Sequence, residues 1–83
     1  MDMKDAAAAR IKSICAAKGI SISALAGKAG LPPSTVYSIA NGRSGNPGIA
    51  SIARICTALG MDLRSFFDSD LFIFIDRKTT RSL

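Results

Sequence analysis

The sequence predicts a small all-α domain, a compact bundle of five short helices followed by a short C-terminal tail. Three observations predict it. Apolar residues recur at spacings of three and four along most of the chain, which keeps them on one face of a helix. Glycines or prolines interrupt that pattern wherever one face ends and the next begins, at Gly19, Gly30, Pro32-Pro33, Gly42 and Gly60. The segments between those breaks are short, and so are their connections, a combination that folds into a tight bundle rather than an extended one. At 83 residues the chain makes one core, burying only about 60% of its unfolded surface, with no room for a second, ligand-sensing domain.

Each element follows from its own residues. From Met3 to Lys18, Ala7, Ile11, Ile14 and Cys15 share a face, with Asp2 or Asp5 as the cap and Gly19 as the stop. The alanines Ala6 to Ala9 favour helix. Ser21 caps a second helix of about two turns, whose face is Leu25, Ala26 and Ala29 and whose end is Gly30. Leu31-Pro32-Pro33 cannot continue it, but Pro33 suits the first position of a third helix, Pro33 to Asn41. Its inward residues are Val36, Ile39 and Ala40, and Asn41-Gly42 ends it before the turn-rich stretch Arg43 to Gly48. A fourth helix, Ile49 to Leu59, has a broad apolar face of Ile49, Ile52, Ala53, Ile55, Cys56 and Leu59. Asp62 caps a short fifth, Leu63 to Phe67, where Leu63, Phe66 and Phe67 close the core. Residues 1–67 are thus read as the domain and 68–83 as a tail free to be extended. Within the tail the apolar run Leu71 to Ile75 can fold back, form a strand, or make a dimer seam.

Composition narrows the function. The net charge of +5 lies entirely in residues 1–61, where seven basic residues face two aspartates; residues 62–83 carry four of each. A basic excess confined to the helical part suits a polyanionic partner. Catalysis is poorly supported, since the chain has no His, no Glu and no Gly-rich phosphate loop. Cys15 and Cys56 are too few and too far apart for a zinc site and read as buried thiols. No cofactor, metal or small-molecule ligand is expected. The longest apolar run is five residues, far short of the roughly 20 that span a bilayer, and no signal peptide precedes the first helix. The expected location is therefore the cytoplasm, with no membrane partner.

The second and third helices are joined by a turn of about three residues around Gly30, so they cross steeply and leave the start of the third exposed. With Gly19-Ile20-Ser21, Leu25-Ala26, Gly30, Ser34-Thr35-Val36, Ile39, Asn41-Gly42-Arg43, Asn46-Pro47 and Ala58-Leu59-Gly60 in that order, the stretch from Ile11 to Phe67 resembles the phage repressor and Cro type of helix-turn-helix, the XRE family. The resemblance implies a lambda-repressor-like fold that binds double-stranded DNA as a small transcriptional regulator, a repressor, and as a homodimer reading two half-sites. It implies base contacts from Pro33, Ser34, Tyr37 and Ser38. It implies phosphate contacts from Ser21, Ile22, Ser23, Thr35, Asn41, Gly42, Arg43 and Ser44. The alternative is an antitoxin-like subunit that binds a protein partner through its tail.

The chain departs from that pattern at three points. Ile22 stands where relatives place a glutamine that bridges phosphate. Pro33 replaces a frequent polar reader and offers only apolar contact, as to a thymine methyl. Cys15 and Ala40 replace an arginine and glutamate that relatives bury as a pair; losing both together is cheap where losing one would not be.

Overall fold

A computed structural model describes residues 2–45 and 47–73, and five α-helices make up these described residues. They are α1 (Met3–Lys18), α2 (Ile22–Ala29), α3 (Pro33–Ala40), α4 (Ile49–Ala58) and α5 (Leu63–Phe67), followed by a 3₁₀ turn, Asp70–Phe72. No strand occurs among the described residues, and no helix among them is long and apolar enough to cross a membrane. Asn41 and Leu59, read from the sequence as last helical residues, are the capping residues of α3 and α4.

The ends of α1 to α4 share one device. A glycine with φ between 67° and 71° follows each, at Gly19, Gly30, Gly42 and Gly60. Paired bonds close each turn; at α2, for example, Gly30 N–H donates to Gly27 and Leu31 N–H to Ala26. This satisfies carbonyls that a helix end would otherwise leave orphaned, and the left-handed residue it needs is cheapest as glycine.

The core is built from Ile11, Ile14 and Cys15 of α1, Leu25, Ala26 and Ala29 of α2, Val36, Ile39 and Ala40 of α3, Ile52, Ile55 and Cys56 of α4, with Leu59 and Phe66. Cys15 and Cys56 are free thiols, and burial pushes both above the ordinary range; at Cys56 the charge of Asp62 acts in the same direction and that of Arg10 against it. Cys15 and Ala40 both lie in this core, which keeps the site of the absent ion pair apolar.

Two expectations need correcting. Ile49 is not part of the buried face of α4 but is 63% exposed, because the first residue of a helix lies at the edge of what its own face can cover. And the alanines of α1 do more than favour helix: Ala6, Ala7 and Ala8 are buried, small enough for neighbouring backbone to approach.

The aromatic end of the molecule is a cluster. Phe66 is fully buried, Phe67 stands edge-on to it at 5.1 Å, and Phe72 lies 4.9 Å from Phe67 and 5.9 Å from Phe66. So the start of the apolar run Leu71 to Ile75 folds back: Leu71 and Phe72 are half-buried, while Ile73 is 69% exposed. Phe74 and Ile75 lie outside the described residues. Arg10 fastens this end to α1, its guanidinium donating to the carbonyls of Phe66 (2.7 Å) and Ser65 (2.9 Å).

Candidate DNA-binding surface

The start of α2 is laid out to receive an anion. Ser21 caps it: its Oγ accepts from the Ala24 amide at 3.0 Å and its carbonyl from Leu25 at 3.0 Å. The amides of Ile22 and Ser23 then have no acceptor among the described residues. They project from the positive end of the helix dipole, and the first turn holds no acidic residue. Ile22 packs its side chain against the core, so only its backbone faces a ligand. Ser21 and Ser23 are exposed.

α3 starts differently. Its cap is Pro32 and its first residue Pro33, neither of which has an N–H. Thr35 and Val36 amides both turn to the Pro32 carbonyl, at 3.0 and 3.3 Å. Ser34 alone keeps a first-turn amide with no acceptor among the described residues. The outward stripe follows from helical spacing: Pro33, Tyr37 and Asn41 stand four apart, with Ser34 and Ser38 beside them. Pro33, Ser34 and Asn41 are exposed, Tyr37 is 45% exposed, and Ser38 and Thr35 are half-buried. The opposite face is seated firmly, with Val36 at 0% exposure and Ile39 at 3%.

The loop after α3 spends its amides on itself. Asn41 donates to Tyr37 (2.9 Å), Gly42 to Ile39 (3.2 Å), and Arg43 and Ser44 both to Ser38 (2.9 and 3.2 Å). An incoming phosphate would meet side chains here: Asn41 and Arg43, both exposed, and half-buried Ser44. Gly42 supplies the turn. Its φ is +69°, and a Cβ placed on it would lie 3.0 Å from Asp5 Oδ1, so a side chain is opposed by conformation and by α1 together.

Charge is sorted among the helix starts. Asp2 caps α1 and Asp62 caps α5, each accepting from the first turn, whereas α2, α3 and α4 begin with no acidic residue. α4 also lacks a side-chain cap at Gly48. Of the basic residues, Lys28 lies in the last turn of α2, Arg43 in the loop after α3 and Arg54 within α4. Lys28 and Arg54 border an open groove of about 270 Å³ with Ala29, Ala53 and Thr57. Arg54 Nη1 reaches the Gly30 carbonyl at 3.5 Å, at the outer limit of a hydrogen bond, so it leans on the turn between α2 and α3.

The role of Arg10 was not visible from charge counting. One signal does mark it: spacings of three and four from Ala7 to Arg10 to Ile14 place it on the buried stripe of α1, where an arginine needs acceptors.

Residues 10–76 match a family model described as a Cro/C1-type HTH DNA-binding domain. No curated protein and no solved structure matches the chain.

Proposed function

The chain belongs to the Cro/C1-type helix-turn-helix DNA-binding family, and from that premise we propose that it is a sequence-specific transcriptional repressor acting as a homodimer by occupying an operator. Residues 1–67 form the DNA-binding unit in this reading, and residues 68–83 a C-terminal extension. The start of α3 lies in the major groove. Ser34, Tyr37 and Ser38 touch base edges, and Pro33 makes an apolar contact. Ser21, Ser23 and the amides of Ile22 and Ser23 hold one phosphate, while Thr35, Asn41, Arg43 and Ser44 hold others, with Gly42 shaping the loop. Two copies meet half-sites about one DNA turn apart, and Ile73 is the exposed apolar residue at which such a pairing begins.

The observation that carries this reading is the asymmetry of α3: a back face buried almost completely and a front of Pro33, Ser34, Tyr37 and Asn41 left to solvent. Binding to double-stranded DNA is expected to fall roughly a thousandfold between about 50 and 200 mM salt if a dimer neutralises about six phosphates. Fluorescence anisotropy on a pool of duplexes measures it. Affinity that ignores salt, or no binding to any duplex at low salt, would overturn the reading.

A further inference from the structure

We propose that the first turn of α1 is a further part of the DNA-contacting surface, in which Lys4 meets a phosphate beside the loop after α3 and Asp5 limits how tightly that phosphate is held. This rests on the DNA-binding reading and extends it to residues ahead of the matched span, which begins at residue 10. Two observations place that turn against the loop. Asp5 Oδ1 lies 3.0 Å from where a Cβ on Gly42 would stand. Lys4 and Met3 share the lining of one cleft with Gly45 and Pro47. The start of α1 therefore borders the loop both at Gly42 and at Gly45.

α1 itself does not account for Lys4. It is the second residue of the helix, where the positive end of the dipole opposes a cation and favours acids such as Asp2 and Asp5. Among the described residues it forms no ion pair. A lysine placed against apolar side chains lays its stem along them and carries its ammonium out to water. A residue that breaks a local preference with no compensating contact points to a function rather than to the fold. Gly45 directly follows Ser44 and is two residues from Arg43, both phosphate contacts in the proposed function, so Lys4 borders the same stretch of DNA backbone.

Asp5 carries the opposite sign at the same edge. It is exposed, and its carboxylate, set over Gly42, repels the phosphate that Lys4 and Arg43 attract. Neighbouring residues of one helical turn should thus change affinity in opposite directions, which damage to the fold does not do.

Binding of the full chain to a pool of duplexes, followed by fluorescence anisotropy over a range of salt, tests this. Lys4→Ala is expected to weaken binding to every duplex alike and to make the slope of log K against log salt shallower by about 0.9 per protomer, whereas Lys4→Arg should keep the parent's slope. Lys12→Ala removes the same charge from the same helix about 12 Å further along and should leave the slope unchanged. Asp5→Asn should tighten binding about threefold at low salt, a gain that fades as salt screens it. An unchanged slope in Lys4→Ala, or an equal change in Lys12→Ala, overturns the Lys4 contact while the parent's own binding upholds the DNA-binding reading. No gain in Asp5→Asn overturns the limit set by Asp5. A parent chain that binds no duplex at low salt overturns the DNA-binding reading and this inference together.

Discussion

α2 and α3 have the same length, cross each other around a single turn and both bury one face, yet their starts are chemically opposite. α2 begins with a serine that caps its own third residue and leaves two amides open. α3 begins with two prolines and leaves one. An open amide pair at a helix dipole suits a phosphate, which every duplex offers alike. Two prolines and a stripe of Ser34, Tyr37 and Ser38 suit shape, apolar contact and a few hydrogen bonds, which vary with sequence. On the proposed function, the difference divides affinity from preference between the two helices of the motif, with anchoring on the first and a modest readout on the second.

That division can be broken at its foundation or adjusted at its edges. The largest effect is expected from Ile39→Ala, which hollows the seat of α3. A loss of about 3 kcal/mol in urea unfolding is expected, the middle of the range for truncating a buried isoleucine. A loss under about 1 kcal/mol would mean that the back of α3 does not hold its front in place.

Ile22→Pro sharpens the comparison, because it gives α2 the kind of start that α3 already has. Proline is at ease in the first position of a helix and after an extended residue such as Ser21, whose ψ is 160°. The variant loses one amide and one half-buried side chain, and Ile22→Ala loses the side chain alone, so the difference between the two isolates the amide. Ile22→Pro should bind every duplex about tenfold to a hundredfold more weakly than Ile22→Ala, the worth of a hydrogen bond to a charged group. Equal affinities would remove the phosphate from the start of α2.

The smallest effect concerns the acid-capped helices. The Ser65 amide donates to Asp62 at 2.7 Å and holds its carboxyl below the usual carboxylate range. A depressed folded value means that the contribution is complete above the ordinary carboxylate value and is lost as pH falls through the folded one. Asparagine caps equally well but does not titrate. Asp62→Asn should therefore match the parent near neutral pH and lose less stability on acidification, followed as Tm against pH. A parallel fall in both proteins would contradict the assignment.

Much of the fold was legible because this chain marks its helix ends with residues that have few other uses. Asp2, Ser21, Pro33 and Asp62 open elements and Gly19, Gly30, Gly42 and Gly60 close them, so boundaries follow from backbone chemistry that acts within four residues. What lay beyond that range was not legible. The exposure of Ile49, the burial of Ala6 to Ala8 and the hold of Arg10 on α5 depend on which helix comes to lie alongside, and periodicity within one helix carries no record of its neighbour. The candidate surface divides in the same way. Its residue types were readable from the turn chemistry and the resemblance. That the loop from Asn41 to Ser44 spends its amides on Tyr37, Ile39 and Ser38 could be learned only from the bonds themselves.

The measurement closest to the central claim is a selection of bound duplexes from a random pool, run in parallel with the parent chain, Arg43→Ala and Tyr37→Ala at one salt concentration. The division of labour predicts that Arg43→Ala recovers the same preferred sequence as the parent with weaker binding throughout, whereas Tyr37→Ala recovers a different or blurred one. If Arg43→Ala changed the preferred sequence while Tyr37→Ala left it intact, the readout would lie in the loop rather than on α3, and the account would be contradicted.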